Sequence, residues 1–243
     1  MSVESIFFLL AAFVVLLLLV VGFETVGFKL REALLIFVGS TLLFLISFPS
    51  VLLYFRGSVG LGIIDLPLGI LVFKNLVTIG PHQDLAIGFD VAGFLIPFFV
   101  SVAMIVDRRS PAVASLIGVI CIASISYLSS GYVAGQGVII HNIFVIAGAA
   151  GILGIVLSRR QWYHVGPISY VSGSLGVLFG ADLVRILDIL SYQPRGFAFA
   201  SIGGAGVFDA IFLVGVIAVT IDVIFVENVR LIRWIQRRRI WGQ

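Results

Sequence analysis

The sequence has 243 residues, of which 60% are apolar and only 11% are charged. Soluble domains carry about 25% charged residues, so this composition cannot cover a water-exposed surface and excludes a soluble globular protein. Each membrane span needs about 20 predominantly apolar residues, so the length allows roughly seven to nine spans and no separate soluble domain. We therefore expect an all-α membrane protein with a single polytopic transmembrane domain over residues 1–243.

The apolar runs predict seven transmembrane helices. The first run, residues 5–23, follows a start without basic residues, so it is predicted to be a retained helix rather than a secretory signal peptide. Charged residues punctuate the gaps between runs. In chain order the predicted spans lie near 5–23, 32–53, 85–106, 111–129, 136–157, 165–187 and 207–227.

Residues 57–80 form an outer segment that does not fit the pattern of a span. Its apolar run, 59–73, is short and contains Asp65 and Pro67 near its middle. A charge there is costly in lipid, and proline breaks a helix. We predict a re-entrant or interfacial segment, such as an extended hairpin covered by protein; an eighth span is the alternative.

Basic residues indicate the orientation of the chain. With the N-terminus outside, the inside segments hold eleven Lys or Arg residues and the outside segments hold three. This bias predicts a multi-pass protein of the cell membrane with its C-terminus in the cytoplasm. The basic tail, residues 228–243, suits anionic membrane lipids as its partners rather than nucleic acid.

The sequence predicts no cofactor and no metal site. Cys121 is the only cysteine, so a cysteine-based metal site and an internal disulfide are excluded. The predicted topology puts His82 and His164 on opposite sides of the membrane, so these two and His141 cannot form one site.

Ionisable residues within the spans are the candidate functional residues, because such groups usually face the bundle interior or water. At 1.5 Å per residue, four of them fall within roughly the outer third of the bilayer: Asp90, His141, Asp182 and Asp209. Arg185 lies three residues beyond Asp182 and can reach it. Asp222 lies about 20 Å deeper than Asp209, and we expect it to snorkel towards the inner surface.

Structural roles compete with functional ones at each of these positions. Asp182, Arg185 and Asp188 are spaced as a charge ladder that neutralises itself. Asp209 follows a glycine-rich stretch and can cap or support the start of the last span. The glycines at 173, 176 and 180 suit close helix packing.

Two glycine-rich motifs resemble a known family. They are Gly-Ser-Leu-Gly-Val-Leu-Phe-Gly-Ala-Asp-Leu at 173–183 and Ser-Ile-Gly-Gly-Ala-Gly-Val-Phe-Asp-Ala-Ile-Phe-Leu at 201–213. With the stretch 89–97 and Leu66-Pro67, they make the chain similar, over roughly 60–220, to uncharacterised prokaryotic membrane proteins called domain of unknown function 1614. The resemblance implies that Asp182 and Asp209 belong to the characteristic site of that family. The chain departs from the family pattern at Asp90, where an amide residue is expected. The resemblance implies no activity.

Three functions remain open. The outward-facing site of Asp182, Arg185 and Asp209, with His141 and Asp90, suits binding or transport of a small polar solute or cation. An accessory subunit of a membrane complex, with a homo-oligomer or another membrane protein as partner, suits the small size and glycine-rich helix faces. A di-aspartyl intramembrane protease needs two aspartates on consecutive spans at similar depth. Gly180-Ala181-Asp182 matches the signature of those proteases only in part.

Overall fold

The computed structural model describes residues 23–24, 27–36, 70–72, 85–133, 137–186, 188, 198–203 and 209–241. The predicted span 5–23 and most of 32–53 lie outside this part of the chain. The described part is mostly helical. The helices are α1 Leu30–Leu34, α2 Ile96–Val106, α3 Ala112–Ser129, α4 Ile143–Leu157, α5 Trp162–Val177 and α6 Ala210–Trp241.

Two helices in the described part are long and apolar enough to cross a membrane, Ala112–Ser129 and Ala210–Ile232. The apolar helices Gly93–Val106 and Ile143–Leu157 are shorter. Seven spans therefore stay a prediction. Helix α6 continues to Trp241, so most of the predicted basic tail, 228–243, extends the last helix.

Five short strands correct the expectation of an all-α fold. Strands β1 (Ile70–Val72), β2 (Leu85–Asp90) and β5 (Ala198–Ile202) form one sheet in the order β1-β2-β5, with β2 parallel to β5. Strands β3 (Ser130–Val133) and β4 (Gly137–Ile140) form an antiparallel pair.

The helix starts predicted near 85 and 136 are wrong, because strand β2 precedes the first of these helices and strand β4 the second. A short apolar run has the same hydropathy in either conformation, and backbone pairing with another segment decides between them. A π-helical turn, Val91–Leu95, joins β2 to α2. In the outer segment 57–80, Ile70–Val72 is extended and pairs with β2, as a hairpin would require. The other residues of that segment lie outside the described part.

Helix α5 is the centre of the bundle. Every residue from His164 to Val177 is buried, and helices α2, α3, α4 and α6 all pack against it. A second π-helical turn, Leu178–Leu183, continues α5 and packs against α3. A helix that is buried all round needs partners on every side, so α5 fixes the positions of its four neighbours.

Serines of α5 fit against glycines on three neighbouring helices. A Cβ atom added at Gly118 of α3 would overlap Ser172, one at Gly154 of α4 would overlap Ser169, and one at Gly215 of α6 would overlap Ser174. Small residues of this kind let membrane helices approach closely.

The glycines of α5 and of the turn after it serve the same close packing, as predicted. An added Cβ at Gly173 would lie 3.2 Å from the Cα of Gly215, and one at Gly176 would lie 2.6 Å from Ile122. At Gly180 an added Cβ would overlap the Ala123 carbonyl. The three glycines contact two helices, α6 and α3, rather than one.

A charged loop cluster joins two connecting segments at one end of the bundle. The cluster comprises Lys29, Arg31, Glu32, Asp107 and Arg109. The Lys29 ammonium lies 2.7 Å from the Asp107 carboxylate, and Arg109 pairs with Glu32, which is largely buried. Nδ1 of His164, at the start of α5, lies 2.5 Å from the Arg109 carbonyl oxygen. The basic segments at 29–31 and 108–109 therefore lie at the same end, as the predicted topology requires.

Replacing Gly154 with alanine should lower the melting temperature of the detergent-solubilised protein. The added methyl group would overlap Ser169, and overpacking costs about 1–3 kcal/mol. Gly148 lies on the same helix with nothing within 4 Å of an added Cβ, so Gly148→Ala is the matched control. That control should leave stability unchanged or raise it slightly, since alanine favours helix. Equal effects of the two substitutions would contradict the proposed packing of α4 on α5.

The Asp107 carboxylate should stabilise the charged loop cluster only above acidic pH. The hydrogen bond from Lys29, and then its charge, hold the pKa of Asp107 below its usual value of 3.8. Because the pKa is lower in the folded protein, this contribution is complete above 3.8 and is lost as the pH falls through the lower value. Asp107→Asn should therefore cause a small fall in melting temperature at neutral pH that disappears in acid. A double variant with Lys29→Gln should behave like either single variant, and additive losses would contradict the pairing.

Candidate functional site

Arg185 binds the end of a neighbouring helix rather than Asp182. Its Nη2 donates to the carbonyl oxygens of Tyr127 at 3.1 Å and Ser130 at 2.5 Å, and its Nε donates to the Ser130 hydroxyl at 2.9 Å. The guanidinium also lies 4.8 Å from the Tyr127 ring centroid. These contacts place a positive charge at the C-terminus of α3, where the helix dipole and the last carbonyl groups favour it.

The predicted charge ladder is therefore only half formed. Arg185 pairs with Asp188 at 3.5 Å, and the Asp188 side chain is 53% exposed. Among the described residues no ion pair joins Arg185 to Asp182. Arg185 is committed to α3, so it does not neutralise Asp182 as the ladder requires.

Asp209 caps the last helix, which is the structural role considered for it. Its Oδ1 accepts a hydrogen bond at 3.0 Å from the backbone N–H of Ile211, in the first turn of α6. Its backbone carbonyl accepts the helical bond from Leu213. Aspartate is among the preferred N-cap residues because it satisfies a free N–H and meets the positive end of the dipole.

Asp182 lies in the π-helical turn after α5, at the end of α5 that packs beside the start of α6, where Asp209 stands. Both side chains are partly buried. The described residues give Asp182 no hydrogen bond or ion pair with a basic side chain. Arg185, the third residue of the predicted site, therefore binds another helix, and a shared site of Asp182 and Asp209 stays a prediction.

His141 and Asp90 lie at the same end of the bundle but in different settings. His141 is exposed between β4 and α4, and its backbone N–H donates to the Ser129 carbonyl at 2.8 Å. Asp90 is the last residue of β2 and pairs with Ile70 across the sheet. Strand β5, which pairs in parallel with β2, precedes Asp209 along the chain. A shared role of His141 and Asp90 with the carboxyl pair stays a prediction.

Asp222 departs from its expected position. Instead of snorkelling to the inner surface, its side chain is completely buried in the middle of α6. The snorkelling prediction is wrong because α6 runs on for nineteen residues beyond Asp222 and packs against α4 and α5 at this level. The sequence carries a signal for this position, since the residues that follow Asp222, Val-Ile-Phe-Val, are all apolar.

Metal ligands do not cluster in the part of the chain that the structure describes: no three or more His, Cys, Asp or Glu side chains lie together there.

Comparison with known families agrees with the two glycine-rich motifs. The family model described as Protein of unknown function (DUF1614) matches residues 66–221, a range that contains both motifs and both carboxyl groups of the pair. The chain belongs to this family. Neither the curated proteins nor the solved structures yield a match.

Arg185→Gln should lower the melting temperature of the purified protein by several degrees. The substitution removes charged hydrogen bonds to the end of α3, and such bonds contribute about 1.5–3 kcal/mol each. Asp188→Asn is the matched control, because it breaks the exposed ion pair with Arg185 and leaves the contacts of Arg185 with α3 in place, and exposed pairs contribute little. If Asp188→Asn proved as destabilising as Arg185→Gln, the assignment of Arg185 to α3 would be wrong.

Proposed function

We propose that this chain is a multi-pass membrane protein that binds and moves a small cation at the carboxyl groups of Asp182 and Asp209. The observation that carries the proposal is the position of two partly buried carboxyl groups, Asp182 and Asp209, at one end of the bundle, with the neighbouring Arg185 bound to α3. Two like charges at short range in a poorly solvated place disfavour each other. A cation between them relieves that repulsion.

The backbone around the pair supports a binding role. Asp182 belongs to a π-helical turn, and such turns inside helices occur frequently at functional sites. Asp209 stands at a helix start that follows a glycine-rich stretch. Transporter sites commonly combine an interrupted helix with charged groups inside the membrane. Asp182 and Asp209 together have both features, since each is a charged group at an interruption or at the start of a helix.

The orientation of the site follows from the charge bias of the loops. The charged loop cluster and the basic end of α6 belong on the cytoplasmic side by the positive-inside rule. The Asp182–Asp209 pair lies at the opposite end of α5 from His164, which contacts that cluster. The proposed cation site therefore opens towards the outside, with membrane lipids around the bundle.

An accessory role in a membrane complex is the second candidate, and two contacts favour it. Asp209 caps α6 and Arg185 caps α3, so both side chains stabilise helix ends in the isolated chain. In that role a partner protein, or a second copy of the chain, would supply the function. The two proposals differ in the role of the Asp182 charge, which binds the cation in the first proposal and does not in the second.

The test uses substitutions that separate charge from helix capping. Asp182→Asn and Asp209→Asn each remove one charge, and asparagine caps helices as well as aspartate. Both should weaken sodium or potassium uptake by proteoliposomes at least about tenfold, because interactions with charged groups contribute about 1.5–3 kcal/mol and 1.4 kcal/mol corresponds to a factor of ten. Melting temperatures should stay close to that of the unsubstituted protein. Asp188→Asn, which removes an exposed charge outside the pair, should leave uptake unchanged.

Other outcomes would favour the other functions. If all variants and the unsubstituted chain show the same cation flux as empty liposomes, the transport proposal is wrong. Retained stability with loss of a co-purifying membrane partner would favour the accessory role. Cleavage of a membrane peptide that either Asp→Asn substitution abolishes, without cation flux, would favour a di-aspartyl protease.

A further inference from the structure

Asp222 is a carboxyl group in the core of the bundle. It lies twelve residues into α6, and its side chain is 0% exposed. Among the described residues, neither of its carboxyl oxygens has a hydrogen-bond partner. At 1.5 Å per residue it is about 20 Å along α6 from Asp209, so it belongs to a different level of the molecule.

Glycines of α4 and a serine of α5 surround this carboxyl group. A Cβ atom added at Gly151 would lie 3.4 Å from Oδ1 of Asp222 and 3.3 Å from the Ala218 carbonyl oxygen. One turn further along α4, Gly154 receives the Ser169 side chain. The Ser169 hydroxyl lies beside the Asp222 carboxyl group, although the two do not form a hydrogen bond of normal geometry. Because these two glycines of α4 have no side chain, they leave space for the Asp222 carboxyl group and the Ser169 hydroxyl.

The described helices that pack against α6 offer no cation to this carboxyl group. Helices α2 and α4, and the turn Val91–Leu95, contain no titratable residue. Helix α5 carries Tyr163, His164 and Tyr170, of which His164 contacts the Arg109 carbonyl and none interacts with Asp222. Glu227 and Arg230, further along α6, are exposed and pair with each other.

An ionised carboxylate cannot stay in this position without compensation. Moving such a group from water into an apolar interior costs many kcal/mol, so it takes up a proton or a counter-ion. A metal cation takes about six oxygen ligands. The surroundings supply one hydroxyl, while the helical carbonyl groups are already bonded to backbone amides. A proton needs only one acceptor, which Ser169 provides.

We propose that Asp222 and Ser169 form a proton-binding site in the core between α4, α5 and α6. In the proton-bound form the Asp222 carboxyl group donates a hydrogen bond to the Ser169 hydroxyl oxygen after a small rotation of either side chain. Release transfers the proton to water when the helices separate and leaves the carboxylate, and rebinding restores the acid. This site shares no residue with the Asp182–Asp209 pair and does not depend on the function proposed for that pair.

Infrared difference spectroscopy on the full chain in liposomes tests the proposal. At neutral pH the spectrum of the unsubstituted protein minus that of Asp222→Asn should contain the C=O stretching band of a protonated carboxyl group. The band should shift in heavy water, because the proton is exchangeable. Ser169→Ala should move the band to higher frequency without removing it, since the hydrogen bond is lost. Asp188→Asn should leave the band in place.

Thermal stability supplies a second measurement. A protonated aspartate resembles asparagine, so Asp222→Asn should keep the melting temperature within a few degrees of the unsubstituted protein, with or without sodium. The proposal is overturned if the difference spectrum contains carboxylate bands instead of the acid band. A sodium-dependent rise in melting temperature that Asp222→Asn abolishes would also overturn it and assign a metal cation to the site.

Discussion

The burial of α5 on all sides is the constraint on which the rest of the structure depends. A helix enclosed by four others favours small or apolar groups, and six of the sixteen residues of α5 are serine or glycine. Its hydroxyl groups approach glycines of α3, α4 and α6, so the helix axes lie close together. The contacts along α5 therefore fix how deep each neighbouring residue lies in the bundle, including Asp222 on α6.

Close packing around α5 also explains why the polar residues divide into separate groups. At one end, the loops before and after the helices meet in the charged loop cluster, which His164 joins through the Arg109 carbonyl. At the other end α5 gives way to a π-helical turn, and the extra residue in such a turn changes the direction of the side chains that follow. Arg185 consequently reaches the end of α3, whereas Asp182 has no ion pair with it.

The sequence predicted most of the helices but not the strands or the tertiary partners. Apolar runs located α3 and α6 because length and hydropathy suffice for a helix in lipid. They could not locate β2 or β4, since a short apolar run becomes a strand only when another segment pairs with it. The family itself was predicted correctly from two glycine-rich motifs, which the matched range includes.

For the candidate site, the sequence predicted one wrong partner, and the site itself stays a prediction. Helical spacing placed Arg185 beside Asp182, but a π-helical turn and the free carbonyl groups of α3 offered Arg185 better contacts. The observed contact of Arg185 changes the charge balance expected at the site. An Asp182–Arg185 pair would be electrically neutral, whereas the described residues give Asp182 no basic partner. Asp222 likewise has no basic partner among the described residues, so two carboxyl groups without such a partner lie at different levels of one helical core.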